Sequence, residues 1–251
     1  MIKVTLGVIM ASGFPVPAQF VIGYSALLQT LLSGAGNVML APQRRIDRAR
    51  ALFVQDFPID FARNKVCRMF LDEDDGDYLL FLDADMKHPP DLAHRLVRHD
   101  RDIVTGRYVI RKPPFFTVAM RKVGAGPHDY QAIEKVDPGA TGLVPIDAAG
   151  AGALLLSRKA LQAVRAHLGA DDWFRYQDGP DGLRSRSEDM WFFERARECG
   201  FQPYLDMELH CGHVAQFLVD HDNHKPYAEQ FARAQGHMLD DRETVEEGMP
   251  Q

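Results

Sequence analysis

Tyr78-Leu-Leu-Phe-Leu-Asp83-Ala84-Asp85 carries an apolar run straight into two acids that a single small residue separates. A short apolar run bounded by turn signals is the pattern of a strand buried on both faces. An acidic, glycine-containing segment, Asp72 to Asp77, precedes it, and Pro89-Pro90 follows. In extended chain, residues i and i+2 point the same way. Asp83 and Asp85 are therefore expected to aim at one point past the strand's carboxyl end, where open α/β sheets bind ligands. Two hard oxygen donors at such a place suit Mg²⁺ or Mn²⁺ carrying a phosphorylated ligand. The plainer reading is a solvated loop whose acids cap the next helix. As a like-charged pair at a surface cleft, the acids are expected to matter little for stability, because removing one relieves repulsion.

Outward from this stretch, the pattern alternates. Residues 3–10 read as a first strand, and Ala11-Ser12-Gly13 as the loop at its carboxyl end. Residues 18–32 read as a helix closed by Gly34, 37–40 as a short strand, 44–53 as a basic helix and 61–71 as a helix. The last of these offers Phe61, Val66, Met69 and Phe70 to the core. A helix over 91–99 and a strand over 102–105 follow the acid pair. This alternation predicts an α/β fold, a mixed and mainly parallel sheet with helices on both faces. From 107 to 145 the chain turns Gly- and Pro-rich, with short β-like pieces near 115–120 and 131–136. Ala149-Gly150-Ala-Gly152 then leads into a buried strand, its glycines allowing close approach to a ligand or another strand. A helix over 158–168 ends at Gly169, and an aromatic-rich loop spans 171–186. A helix over 187–199 ends at Gly200, and short strands follow at 203–205 and 208–211. One domain is expected over residues 1–220, then a polar segment over 221–251 with a surface helix near 227–238.

The 251 residues are 46% hydrophobic and 25% charged, an ordinary globular composition that suits one large α/β domain. A net charge of −6 argues against a general nucleic-acid or membrane binder. Cys67, Cys199 and Cys211 are widely spaced, with no Cys-x-x-Cys, which favours reduced thiols in a cytoplasmic protein. The amino-terminal apolar run reads as a first buried strand and not as a signal peptide. No apolar run is long enough to span a bilayer.

Three more features bear on chemistry. Arg63-Asn64 stands near a helix start, and an arginine fork binds phosphate or a carbonyl-rich base. Ser185-Arg-Ser187-Glu188-Asp189 fits a capping box between Ser185 and Glu188, and it also sets a candidate general base at a helix start. His210-Cys-Gly-His213 offers imidazoles to a divalent metal. Each piece alone is also explained by a solvated helix face, a cap or a packed histidine.

Taken in order, Phe61-Ala-Arg-Asn64, Leu80-Phe-Leu-Asp-Ala-Asp85, Ser187-Glu-Asp-Met-Trp-Phe-Phe-Glu-Arg-Ala-Arg-Glu-Cys-Gly200 and Gly212-His213 resemble the GT-A glycosyltransferases. The likeness is greatest to the family 2-like enzymes of bacteria and phages, and it covers about residues 3–215. It implies a single GT-A (Rossmann-like) domain that transfers a sugar from a nucleotide-diphosphate sugar, most often a UDP-sugar, to an acceptor hydroxyl. It also implies that Asp83 and Asp85 hold Mn²⁺ or Mg²⁺ with His213, for which His210 competes. Asp189 matches the acceptor base of inverting members, with Glu188 beside it. Ala11, Ser12, Arg63, Asn64, Asp83, Ala84, Gly150 and Gly152 fall where the nucleotide-sugar lies. The helix dipole is expected to keep Asp189 ionised, and Glu188 to point a quarter-turn or more away.

Two rival readings stand beside it. One is a sugar-phosphate nucleotidyltransferase, although Met10-Ala-Ser-Gly-Phe-Pro lacks its usual basic residue. The other is a non-catalytic nucleotide- or sugar-binding module. For the acceptor, Trp173, Phe174 and Tyr176 are candidates to stack on a sugar or base. Arg107, with Arg111, Lys112, Arg121 and Lys122, forms a basic cluster that would suit a modified phage DNA base as well as a glycan or metabolite. The retaining or inverting outcome stays open.

Overall fold

The computed structural model describes residues 1–215 apart from 12, 14, 42, 43, 57, 112, 113, 127, 128, 180, 181 and 183, and describes Arg184 by its backbone alone. Ser12, Lys112, the 221–251 segment and the expected helix near 227–238 lie outside the described residues. The elements, in order, are β1 (Ile2–Ala11), α1 (Ala18–Ser33), a 3₁₀ turn (Ala35–Met39), β2 (Ile46–Asp56), α2 (Ile59–Glu73), β3 (Tyr78–Asp83), β4 (Met86–Lys87), α3 (Leu92–Arg98) and β5 (Ile103–Arg107). Then come β6 (Met120–Lys122), β7 (Tyr130–Ala132), α4 (Ile133–Val136), β8 (Leu143–Pro145), β9 (Ala153–Ser157) and α5 (Arg158–Leu168). The last are β10 (Gln177–Asp178), β11 (Arg184–Arg186), α6 (Glu188–Glu198), β12 (Tyr204–His210) and β13 (Gly212–His213).

The expected α/β architecture is present. Seven strands form one sheet in the order β2-β1-β3-β9-β5-β12-β8. Strand β1 runs parallel to β2 and β3, and β12 parallel to β5, while β9 and β8 run antiparallel to their neighbours. Alternation along the strands sorts side chains to two cores. Leu79, Phe81, Leu154 and Leu156 meet α2, α5 and α6 through Val66, Phe70, Leu161, Phe192 and Phe193. Leu80, Leu82 and Leu155 meet α1 and α3 through Phe20, Leu27, Leu92 and Leu96. Burial of each such side chain favours the fold by about 1.5–3 kcal/mol, which is why β3 and β9 read as unbroken apolar runs. Among the described residues, no helix is long and apolar enough to cross a membrane, and none of the three cysteines is in a disulfide.

Three segments differ from expectation. Residues 44–53 are not a basic helix: most of them lie in β2, the edge strand, paired with β1. Leu52 and Val54 are buried while Phe53 between them is 53% exposed, a period of two that the flanking arginines disguised. Residues 37–40 form no strand, and 35–39 make a 3₁₀ turn. Phe61 points to solvent (64% exposed), because the buried face of α2 runs through Ala62, Val66 and Phe70. The pieces near 115–120 and 131–136 resolve into the β6–β7 hairpin and the single turn α4.

The topology brings the candidate residues to one end of the sheet. From β1 the chain crosses to β2 on one side, then returns past β1 to β3 on the other. The order reverses there, and the carboxyl ends of β1 and β3 are where open α/β sheets bind ligands. Ile9 is in register with Asp83, and Ala84 N donates to Ile9 O at 2.9 Å.

Candidate functional site

At the carboxyl end of β3 lies a buried cation. Arg63, on α2, is 1% exposed. Its Nη1 and Nη2 donate to Asp83 Oδ1 and Oδ2 at 2.9 and 3.0 Å. Its Nε lies 3.3 Å from Asp189 Oδ1 and 3.7 Å from Glu188 Oε1. The rings of Phe81 and Phe174 sit 5.5 and 5.8 Å from the guanidinium carbon. Burial pushes the Arg63 pKa down, but Asp83, Asp189 and Glu188 outweigh it and hold the group charged, well above its usual value.

One guanidinium faces three carboxylates, and the shortfall falls on Asp189. Burial raises its carboxyl to about 8; Arg63 opposes this, and Glu188 and Asp83 add to it. Its place in the first turn of α6 does not keep it ionised at neutral pH, because burial outweighs the helix dipole. Its Oδ1 is buried and accepts no hydrogen bond among the described residues. The helix cap also differs from expectation. Ser187 is the N-cap, accepting from Met190 N, while Ser185 Oγ donates to Gln177 O across β10–β11. Glu188 is thus no capping-box partner of Ser185, and it shares Arg63 with Asp189.

The second acid faces the other way. Asp85 Oδ2 lies 3.0 Å from Arg111 Nη1 and 3.6 Å from His213 Nε2. Strand β13 brings His213 here by pairing with β4, and Val214 N donates to Asp85 O at 2.9 Å. His213 Nδ1–H donates to Val109 O at 2.9 Å, which leaves Nε2 turned toward Asp85. Burial lowers the His213 pKa, but Asp85 and the Val109 carbonyl raise it overall. Burial raises Asp85, and His213 and Arg111 outweigh it to hold the carboxyl below its usual value. His210 is not at this place; its Nε2 meets Met207 O at 3.1 Å.

A floor of small residues closes the site from below. A Cβ on Gly150 would stand 2.1 Å from the Tyr108 hydroxyl, and one on Gly152 2.3 Å from Met86 Sδ and 3.1 Å from Asp83 Oδ2. The close approach that these glycines permit is therefore to Tyr108, Met86 and Asp83. Gly152 N donates to Tyr108 Oη at 3.1 Å, and Gly152 O accepts from Asp83 N at 3.1 Å and from His88 Nε2 at 2.9 Å. The Tyr108 ring meets His213 edge-on at 5.5 Å.

The remaining expected residues fall in two groups. Ala11 and Ala84 lie at the carboxyl ends of β1 and β3, with Ala11 in register with Asp56 of β2. Asn64 spends both ends of its amide on the aromatic loop, donating to Phe174 O at 2.8 Å and accepting from Phe174 N at 2.9 Å. Trp173 does not face an acceptor: it is fully buried, its Nε1–H on Leu161 O at 2.8 Å. Phe174 is buried as well, so both rings plug the loop. Tyr176 is partly exposed. Arg107 is held by Glu134 at 3.3 Å and Thr117 at 3.4 Å.

No protein-family model matches the chain, and no curated protein matches it. Among solved structures it is similar to A197 from STIV, with a TM-score of 0.46 and 16% identity, over 88% of this chain and 100% of that one. It is also similar to GalNAc-T7 solved with UDP, GalNAc and Mn²⁺, with a TM-score of 0.49 and 12% identity, over 86% of this chain and 44% of that one. The chain thus spans under half the length of GalNAc-T7. Neither likeness is close enough to carry an activity or a substrate.

Among the described residues, no group of three or more His, Cys, Asp or Glu converges as a complete metal site. Asp85 and His213 still suit a divalent ion that keeps several non-protein oxygens, because the carbonyl at Nδ1 orients the imidazole. Tyr108 and His88 were not singled out by sequence reasoning. Tyr108 directly follows β5, so its place at a strand's carboxyl end was the available signal. His88 carried none, since its role depends on the Gly152 carbonyl 64 residues away.

Proposed function

We propose that the chain is a metal-dependent glycosyltransferase of the GT-A type, moving a sugar from a nucleoside-diphosphate sugar, a UDP-sugar first, to an acceptor hydroxyl. One observation carries this reading: Asp85 and His213 meet just past the carboxyl end of β3, whose last residue, Asp83, shares Arg63 with the half-buried Asp189. Asp85 and His213 would hold Mn²⁺ or Mg²⁺, leaving the remaining positions to diphosphate oxygens and water. The ion, when bound, stabilises charge on the departing diphosphate.

The chain's own residues do the rest. The acceptor oxygen bonds to the anomeric carbon as the bond from that carbon to the phosphate oxygen breaks, and the electron pair leaves with the diphosphate. The acceptor's proton goes to Asp189, whose pKa of about 8 makes it a stronger base than an ordinary carboxylate. Arg63 supports the ionised form of Asp189 and fixes Asp83 at the end of β3. Each oxygen of Asp83 keeps a lone pair for the donor beyond its bond to Arg63. Ala11 and Ala84 let the nucleotide lie close to the backbone. Tyr176 and Arg107 are the residues proposed for the acceptor side, which takes a glycan, a metabolite or a modified DNA base.

The test is hydrolysis of UDP-sugars with and without Mn²⁺, followed by an acceptor screen that includes glycans and hydroxymethylated DNA. Mn²⁺-dependent turnover supports the reading. Tight UDP-sugar binding without any turnover would favour a binding module. Formation of a nucleotide-sugar from a nucleoside triphosphate would favour the nucleotidyltransferase.

A further inference from the structure

We infer that Arg111 exchanges partners during binding: it holds Asp85 while the metal is away, and it takes the donor's diphosphate once the metal claims Asp85. This rests on the glycosyltransferase reading of the same site. Three observations lead to it. First, Arg111 Nη1 and His213 Nε2 approach the same oxygen, Asp85 Oδ2, at 3.0 and 3.6 Å. A divalent ion shared by Asp85 and His213 would draw on the carboxylate oxygen nearest the imidazole, the one the guanidinium now holds. Second, the two arginines of the site are built differently. Arg63 is locked, 2% exposed at its side chain, whereas Arg111 is 51% exposed and makes no other ion pair among the described residues. Leaving Asp85 therefore strands no buried charge.

Third, the hairpin that carries Arg111 also supports the histidine. Val109 bridges Thr117, and Ile110 N donates to Phe116 O at 3.0 Å, so Arg111 directly follows a hydrogen-bonded position of the hairpin. Val109 O is the acceptor that orients His213. The carbonyl that orients His213 and the arginine that holds Asp85 are thus two residues apart on one strand of the hairpin. Like charge drives the guanidinium off Asp85, and a diphosphate on the ion offers it a planar, bidentate partner. Metal and nucleotide binding become coupled through one side chain.

The experiment titrates Mn²⁺ alone, then UDP at saturating Mn²⁺, into the full chain and into Arg111→Ala, read by calorimetry. Arg111→Ala should bind Mn²⁺ alone about tenfold more tightly and UDP with Mn²⁺ about tenfold more weakly, the scale of a hydrogen bond to a charged group. Wild-type affinities in the variant, or a change in only one of the two, overturn the exchange while leaving the metal site standing. If the wild-type chain binds no Mn²⁺ with or without UDP, the metal site is wrong and the exchange falls with it. Circular dichroism of the variant checks the fold, which this half-exposed side chain should not affect.

Discussion

Arg63 and Asp83 meet as two parallel forks, Nη1 to Oδ1 at 2.9 Å and Nη2 to Oδ2 at 3.0 Å, at the carboxyl end of β3. The first acid of the pair is therefore tied to a cation buried in the protein. Arg63→Met would leave Asp83, Glu188 and Asp189 without their shared cation. A loss of about 3–5 kcal/mol is expected, the scale for breaking a buried pair, measured by urea denaturation. Asp83→Ala should be destabilising too, since it leaves a buried guanidinium short of its best partner. The pair with buried Arg63 argues against the expectation that Asp83 is dispensable for stability.

Asp85 should behave oppositely. Its side chain is 39% exposed, and its partners Arg111 and His213 reach it from the rim. Asp85→Asn should change stability by no more than about 0.5 kcal/mol, as at an ordinary surface position. It should also abolish Mn²⁺-dependent UDP binding. Titration of UDP plus Mn²⁺ into the variant checks this, and unchanged affinity would mean that Asp85 holds no metal.

Asp189 should leave a mark on the pH dependence of stability. Its carboxyl rises from 3.8 to about 8 on folding. Between those values the folded chain holds a proton that the unfolded chain has lost, so this residue makes stability fall as pH rises across the window. Its contribution is complete below 3.8 and lost on passing through about 8. Denaturation midpoints between pH 5 and 8, compared with Asp189→Asn, measure it: the variant should lack that part of the slope.

The same residue should shape the rate. A base that titrates near 8 gives turnover that rises with pH and levels off above that value. Asp189→Asn should keep Mn²⁺ and UDP binding and lose turnover by about a hundredfold or more. If it stays fully active with a true acceptor, a retaining mechanism replaces the inverting one.

Gly150→Ala should damage the floor of the site. The added methyl would lie 2.1 Å from the Tyr108 hydroxyl, which is itself buried. Overpacking of this kind costs about 1–3 kcal/mol. Combining it with Tyr108→Phe removes the clashing oxygen and should restore part of the loss in thermal denaturation. No recovery would place the strain elsewhere.

Local pattern was enough to determine several parts of this protein. The apolar run into Asp83 and the strand of residues 153–157 are buried on both faces, and such burial is written directly into sequence. The helix of residues 158–168, with Gly169 left-handed at φ 64°, follows from composition and cap together. Asp-x-Asp at a strand's carboxyl end was legible for the same reason, as was His213 as a candidate. Tertiary structure decided the rest. Residues 46–56 make an edge strand because β1 offers a row of backbone partners, which no local propensity records. The β4–β13 pairing, over 120 residues apart in the chain, selects His213 over His210 at Asp85. Asp83 and Asp85 share a direction in extended chain, yet one turns to a buried arginine and the other to the rim, because a strand end hands each to a different neighbour. The pKa of Asp189 is set by burial against Arg63, Glu188 and Asp83, groups that only the folded chain brings within reach.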